Sequence, residues 1–139
     1  MWPTRNVKIN PGAILEFEAG AGIYVDGNSS SLTAAGTANN PIIFRGILPN
    51  FRGQWRGVYF NSGSPLNQLE HCHILGGGGG FYWSYDANIE IFFGSRVRIN
   101  DCQIRDSGGY GITYSSDSPN VLVTDNVYSN NANQDVLIH

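Results

Sequence analysis

The residue types that most clearly suggest chemistry lie in segment 76–86, where five successive glycines precede four aromatic residues in five positions. The aromatic residues follow neither the period of a strand nor that of a helix, so no single face would bury them all. Aromatic rings stack on sugar rings, and polar neighbours hydrogen-bond to sugar hydroxyls. We therefore predict a carbohydrate-binding platform here, formed by Phe81, Tyr82, Trp83 and Tyr85. The five glycines before them are expected to form a flexible segment.

Two neighbouring segments are expected to complete this platform. Segment 46–54 carries Phe51 and Arg52, and segment 105–110 carries Arg105, Asp106 and Tyr110. If all three segments lie at one corner of the fold, the ligand-binding residues are Phe51, Arg52, Phe81, Tyr82, Trp83, Tyr85 and Tyr110. The alternative is that the rings of segment 81–83 fold back as a lid over the protein or over a partner.

A second candidate is a column of polar residues at successive turns, formed by His71, Asp101 and Asp125 and flanked by Glu70, Asn100 and Thr124. Stacked at strand spacing, the two aspartates would lie about 5 Å apart. At that distance they could share a cation, or their mutual repulsion could make the pKa values of the two carboxyl groups differ. Asp and Asn are also the preferred residues of tight turns, where their side chains bond to nearby backbone. We favour the turn interpretation.

The run His71-Cys72-His73 does not predict a metal site. On a strand, Cys72 would point inward and His73 outward, while His71 lies in the turn, so the three side chains do not converge. We therefore assign no metal ligands. Cys72 and Cys102 fall on one inward column, where we expect two buried thiols, since directly stacked parallel neighbours seldom offer disulfide geometry.

The composition limits the class of protein. Hydrophobic residues make up 41% and charged residues 14% of the 139 positions, which argues against disorder, and Gly, Asn and Ser fill 45 positions, which argues against a helical bundle. The net charge of −3 does not favour nucleic acid. No stretch approaches the roughly 20 apolar residues that cross a bilayer. A turn-rich all-β domain remains.

Short strand-like runs recur along the whole chain and group into five triplets. Residues 97–104 align with 121–128 at an offset of 24, and residues 69–74 align with 99–104 at an offset of 30. A repeat of 20 to 30 residues predicts a solenoid whose coils stack at about 4.8 Å. The predicted strands are 7–9, 13–17, 22–26, 32–35, 41–45, 56–60, 68–70, 72–75, 88–93, 96–99, 102–104, 110–114, 121–123, 126–128 and 136–138.

An ordered series of motifs carries a family resemblance: Asn10-Pro11-Gly12-Ala13, Gly36-Thr37, Pro41-Ile42-Ile43-Phe44 and Trp55-Arg56-Gly57-Val58-Tyr59-Phe60. The series resembles right-handed parallel β-helix proteins of the pectate-lyase-like superfamily. The resemblance implies one right-handed parallel β-helix of about five coils over residues 1–139, complete or cut from a longer β-helix. It also implies a structural role for Trp55.

The resemblance implies chemistry less directly, because the superfamily includes lyases, hydrolases, adhesins and surface proteins. Its lyases bind calcium through clustered acidic residues and use Arg or Lys as a base. In this sequence the resemblance would make Asp101 and Asp125 the calcium ligands and Arg98 or Arg105 the base. Calcium would then be the cofactor; otherwise we expect none. The Asp-Asp pair and Gly-His-Gly run of polygalacturonase-type hydrolases do not occur here. The leading hypothesis is a non-catalytic carbohydrate-binding module. The first alternative is a truncated polysaccharide lyase or glycoside hydrolase that uses Asp101, Asp125 and Arg105.

The expected partner is a polysaccharide or oligosaccharide, with no nucleic acid and no membrane insertion. A second alternative is a structural, self-assembling module, because uncapped terminal coils expose strand edges that favour homo-oligomers. The start of the chain lacks the apolar core of a signal peptide. The resemblance nevertheless favours an extracellular or cell-surface location.

Overall fold

The computed structural model describes residues 5–48, 50–80 and 85–139, which form fifteen strands. Within these ranges, no helix has the length and apolar character needed to span a membrane. The strands are β1 (Arg5–Ile9), β2 (Ile14–Phe17), β3 (Gly22–Asp26), β4 (Ser30–Ala35), β5 (Ile42–Gly46), β6 (Gly57–Asn61), β7 (Gln68–Glu70), β8 (Cys72–Leu75), β9 (Ala87–Ile91), β10 (Val97–Asn100), β11 (Gln103–Arg105), β12 (Tyr110–Tyr114), β13 (Val121–Thr124), β14 (Val127–Ser129) and β15 (Val136–Ile138).

Successive strands enter three parallel sheets in turn. Sheet A has the order β1-β4-β7-β10-β13, sheet B the order β2-β5-β8-β11-β14, and sheet C the order β3-β6-β9-β12-β15. The chain therefore winds through five coils of three strands as a right-handed parallel β-helix, the usual hand for parallel crossovers. The predicted fold and all fifteen predicted strands are confirmed, with strand ends displaced by at most two residues.

The interior is filled by alternate residues of each strand, because successive side chains of a strand point to opposite faces. The registers stack Val58 on Ile89 and Ile89 on Ile112 in sheet C, and Phe44 on Ile74 in sheet B. All five side chains are fully buried. Burying one such side chain stabilises the fold by about 1.5–3 kcal/mol.

The first and last coils are less buried than the middle three. Leu15 and Ile23 of coil 1 and Val121 and Val123 of coil 5 pack against the core but stay partly exposed. In the described residues, each strand of these two coils pairs with one neighbouring strand. Association of copies through these edges stays a prediction.

Three kinds of corner join the sheets, and the third, from sheet C to the next strand of sheet A, carries none of the candidate residues. The AB turn, between sheets A and B, has one or two residues in coils 3 to 5, because β8, β11 and β14 start almost where β7, β10 and β13 end. The BC corner, between sheets B and C, consists of the connections 47–56, 76–86, 106–109 and 130–135 of coils 2 to 5. The candidate site residues lie at these two corners.

Candidate functional site

The BC corner brings together the three segments that were predicted to form one platform. Connections 47–56, 76–86 and 106–109 belong to consecutive coils, and their described parts lie side by side. Their backbones are hydrogen-bonded: Gly53 N and Gly108 N both donate to Gly77 O, at 3.1 and 2.9 Å. Phe81, Tyr82 and Trp83 lie outside the described residues, so their part in the platform stays a prediction.

The glycine run is tightly packed, contrary to the expectation of a flexible segment. Gly76, Gly77 and Gly78 are buried between the neighbouring connections. A Cβ added at Gly77 would lie 2.6 Å from Asn88 Oδ1, and one at Gly78 would lie 3.0 Å from Gly108 N. Glycine is therefore required here because three backbones approach each other too closely for a side chain.

Trp55 anchors the coil 2 connection from inside the protein. Its side chain is fully buried and stacks on Phe17, with ring centroids 4.2 Å apart and planes 7° from parallel. Its indole Nε1 donates a hydrogen bond of 2.8 Å to Leu75 O. The structural role expected for Trp55 is confirmed.

A cleft of about 150 Å³ opens on the outer side of the BC corner. Phe51, which is 62% exposed, and Leu48, which is 53% exposed, provide an apolar wall. We call this hollow the BC cleft; its lining residues are Arg45, Gly46, Leu48, Asn50, Phe51, Leu75, Gly76, Arg105 and Asp106. All three of the segments predicted to form the platform thus contribute to one concave surface, segment 76–86 through Gly76.

The floor of the BC cleft is an outward row of sheet B that was predicted from the sequence only in part. The register pairs Arg45 with Leu75 and Leu75 with Arg105. Arg45 Nε lies 3.3 Å from Glu16 Oε2, and Arg105 Nη1 lies 2.8 Å from Asp106 Oδ2. The signal for Arg45 was present, because it lies one position beyond Phe44 of a predicted inward column, on the opposite face of the strand.

Arg52 and Asp106 hold the BC corner together across coils. Arg52 Nε donates to Asn130 O at 2.9 Å, and its Nη2 donates to Asn130 Oδ1. Asn130 Nδ2 in turn donates to Asp106 Oδ1 at 2.6 Å. Arg52 therefore braces the coil 2 connection against coil 5 and does not line the BC cleft, whereas Phe51 next to it does.

Tyr85 and Tyr110 form a separate aromatic pair on the sheet C side of the BC corner, where Tyr110 begins β12. Their ring centroids are 6.0 Å apart with planes at 84°, and Tyr85 also packs 4.6 Å from the His139 ring. Tyr85 is 40% exposed. Neither tyrosine lines the BC cleft.

The AB turn contains the second predicted column. His71, Asp101 and Asp125 have φ values of 46°, 54° and 55°, the left-handed region that Asp and Asn tolerate better than most residues. His71 N donates to Asn100 O at 3.2 Å and Asp101 N to Thr124 O at 3.4 Å, which extends the strand ladders through the turn. The turn interpretation accounts for this backbone geometry.

The structure separates some residues of the lyase-like set and groups others. Asp101 precedes β11 and lies at the AB turn, whereas Arg105 ends β11 and lies at the BC corner. Asp125 and Arg98 line a common hollow of about 300 Å³ on sheet A, with Glu70, Asn100 and Thr124. The catalytic assignment stays a prediction, with Arg98 placed closer to the acidic column than Arg105.

The run His71-Cys72-His73 diverges, as predicted from the sequence. Cys72 and Cys102 are buried, free thiols, and Cys72 Sγ donates to Ala34 O at 3.3 Å inside the coil. The hydrogen bond with Cys102 and burial raise the pKa of the Cys72 thiol well above its ordinary value, so it is a poor nucleophile or metal ligand. On the outer face, burial and the nearby Arg105 lower the pKa of His73.

Comparison with known proteins agrees with this architecture. A family model described as a right-handed beta helix region matches residues 4–139. No curated protein and no solved structure matched in the same comparisons. The match establishes the fold, and the activity has to be argued from the two corners, since one fold supports many functions.

Proposed function

Because the chain belongs to the right-handed β-helix family, we propose that its stacked coils present the BC cleft as a binding site for an acidic oligosaccharide or polysaccharide. The observation that carries the proposal is the arrangement of an exposed aromatic ring, Phe51, beside the guanidinium groups of Arg45 and Arg105 in one cleft. Both kinds of group are held on a rigid sheet or on a connection anchored by Trp55.

The apolar part of the cleft suits the carbon face of a sugar. Phe51 and Leu48 are each more than half exposed, and Leu75 lies between the two arginines on sheet B. A pyranose ring that stacks on Phe51 would remove apolar surface from water on both sides. Its ring hydroxyls would face Asn50 and the backbone at Gly76, which also line the cleft.

The charged part of the cleft suits carboxylate groups. Arg45 and Arg105 lie two strands apart, so their Cα atoms are about 9.6 Å from each other at the usual strand spacing. Guanidinium groups bind carboxylates through paired hydrogen bonds. The Arg45–Glu16 pair is about half exposed on both sides and is worth about 0–1 kcal/mol, so a ligand carboxylate can replace Glu16.

The cleft supports binding more directly than turnover. Among the described residues that line it, Asp106 is the single carboxylic acid, and both of its oxygens accept hydrogen bonds, from Arg105 and Asn130. Hydrolysis of a glycosidic bond needs two carboxyl groups across the sugar. We therefore propose a module that holds the polysaccharide without cleaving it.

Affinity electrophoresis tests this proposal, with the protein run through gels that contain polygalacturonate or neutral dextran. We expect retardation by polygalacturonate, with affinity at least tenfold lower for Phe51→Ala and for Arg105→Gln, a loss of about 1.4 kcal/mol each. Phe93→Ala and Arg96→Gln are matched controls, because Phe93 is 61% exposed and neither residue lines the cleft. The controls should migrate like the parent protein.

Three results would count against the proposal. Free migration of the parent protein in every gel would exclude binding to these polymers. Retardation unchanged by Phe51→Ala and Arg105→Gln would place the site elsewhere, and a Trp83→Ala variant then shows whether segment 81–83 carries the binding. Release of unsaturated sugars from polygalacturonate would show that the protein is a lyase and not a binding module.

A further inference from the structure

Three metal-ligating side chains meet at the AB turn, at the opposite end of the sheet B strands from the BC cleft. Glu70, His71 and Asp101 each offer one ligand atom, and these atoms all lie within 4.8 Å of one another. We call them the AB cluster. We propose that the AB cluster binds a divalent cation of the zinc type. This site is independent of the proposed carbohydrate binding.

The backbone of two adjacent coils positions the cluster. Glu70 ends β7 of coil 3, and its register partner in coil 4 is Asn100, the residue before Asp101. The left-handed φ values of His71 and Asp101 turn both side chains out at the same level of the two coils. The ligand atoms are thus brought together by the stacking of coils whose sequences lie 30 residues apart.

The charge of the cluster favours a cation. The ion pairs found among the described residues include Arg45–Glu16 and Arg105–Asp106, and none of those found involves Glu70 or Asp101. Amide groups solvate the carboxylates instead. Asn100 Nδ2 bridges Glu70 Oε1 at 3.4 Å and Asp101 Oδ2 at 2.9 Å.

Asn100 gives the site a way to respond to the ion. Its amide nitrogen donates a hydrogen bond to one oxygen of each carboxylate, so it stabilises both negative charges. Rotation of the amide by half a turn would replace the NH₂ donor with the carbonyl oxygen, an acceptor of similar size. The same residue then satisfies the two carboxylates without the ion and supplies an oxygen ligand with it.

The ligand types select the class of cation. An imidazole nitrogen with two carboxylate oxygens is a donor set that zinc uses, with water completing a tetrahedron. Calcium takes six to eight oxygen ligands and gains little from an imidazole. A hollow of about 190 Å³ lined by His71, His73 and Asp101 leaves room for the water ligands.

The test is titration of the full 139-residue chain with Zn²⁺ by isothermal calorimetry, together with ¹⁵N NMR of the histidine rings. We expect one zinc per chain and a change in the His71 ring nitrogen shifts. His71→Asn and Asp101→Asn should each weaken binding at least tenfold, and Asn tolerates the left-handed conformation at both positions. Asp125→Asn is the matched control, because Asp125 has the same φ but lies outside the cluster.

Several outcomes would overturn the proposal. These are no zinc binding by the parent protein, equal binding by His71→Asn, or a loss of binding in Asp125→Asn as large as that in Asp101→Asn. Calcium binding of equal strength that is unaffected by His71→Asn would also contradict it. Circular dichroism of each variant separates a lost ligand from a lost fold. Because no sugar is present, a negative result leaves the gel experiment on the BC cleft unaffected.

Discussion

In coils 4 and 5 the AB turn and the BC corner begin with the same backbone conformation and differ in the length of chain before the next strand. His71, Asp101 and Asp125 at the AB turn and Asp106 and Asn130 at the BC corner all have φ values between 46° and 58°. At the AB turn in coils 3 to 5, the next strand begins within two residues, whereas the BC corner adds between four and eleven residues in coils 2 to 5.

The difference shows how a solenoid separates its scaffold from its sites. At the AB turn the left-handed residue contributes its backbone angle, so side chains such as those of His71 and Asp101 remain available for other roles, such as the AB cluster. At the BC corner the added residues pack on one another, and glycines and Trp55 hold them against the coils. Substitutions at Trp55, at Gly78 with Gly20 as its reference, and at Asp101 test whether the two corners are stabilised in these different ways.

Loss of the anchor at the BC corner should have the largest effect. Trp55→Ala removes a fully buried ring, its stacking on Phe17 and its hydrogen bond to Leu75 O. We expect the free energy of unfolding to fall by about 3–5 kcal/mol, measured by urea denaturation. Trp55→Phe keeps an aromatic ring and should lose less. A loss below about 1 kcal/mol for Trp55→Ala would mean that the corner is held by other contacts.

Crowding at the glycine run should have the next largest effect. Gly78 and Gly20 have φ values of 79° and 80°, but a Cβ at Gly78 would lie 3.0 Å from Gly108 N, whereas at Gly20 nothing lies within 4 Å. We expect Gly20→Ala to cost about 1–2 kcal/mol from backbone strain alone. Gly78→Ala should cost about 1–3 kcal/mol more because of overpacking. Equal losses in urea denaturation would disprove the tight packing of the BC corner.

Substitutions at the AB turn should change the free energy of unfolding least. The size of the change should depend on whether the new residue tolerates a left-handed backbone. Asp101→Asn keeps a residue that tolerates φ of 54°, so its unfolding free energy should match that of the parent protein. Asp101→Ala should be less stable than Asp101→Gly by about 1 kcal/mol, because alanine is strained in this region and glycine is not. Thermal unfolding without added metal measures all three. An Asn variant as unstable as the Ala variant would show that the carboxylate, and not the backbone angle, stabilises the turn.

Most of the scaffold was predictable from local patterns. The alternation of Val58 and Phe60 with outward residues, and the offsets of 24 and 30, predicted the strands and the stacked interior columns. The outward rows follow from the same register, so Arg45 and Arg105 on one row were also predictable. For the AB cluster, the sequence predicted a column of turn residues that includes His71 and Asp101. It did not predict that the ligand atoms of Glu70, His71 and Asp101 would come together.

The BC corner was less predictable because its connections differ in length from coil to coil, which removes the repeat offset as a guide. The sequence indicated that Phe51 and Arg52 would lie near Arg105. It did not indicate that Arg52 would reach Asn130, which is 78 residues away, while Phe51 lines the cleft. Nor did it indicate that Gly76, Gly77 and Gly78 would be buried, since glycine is compatible both with flexible and with very close backbone packing.

The amino-acid sequence by itself therefore determined the coil, its interior and the residues able to adopt the turn conformation. These depend on alternation and on backbone preference, which act over a few residues. Only the tertiary structure decided which outward side chains share a site. Residues from different coils become neighbours when strands stack at about 4.8 Å, and connections of unequal length take their positions from packing against one another.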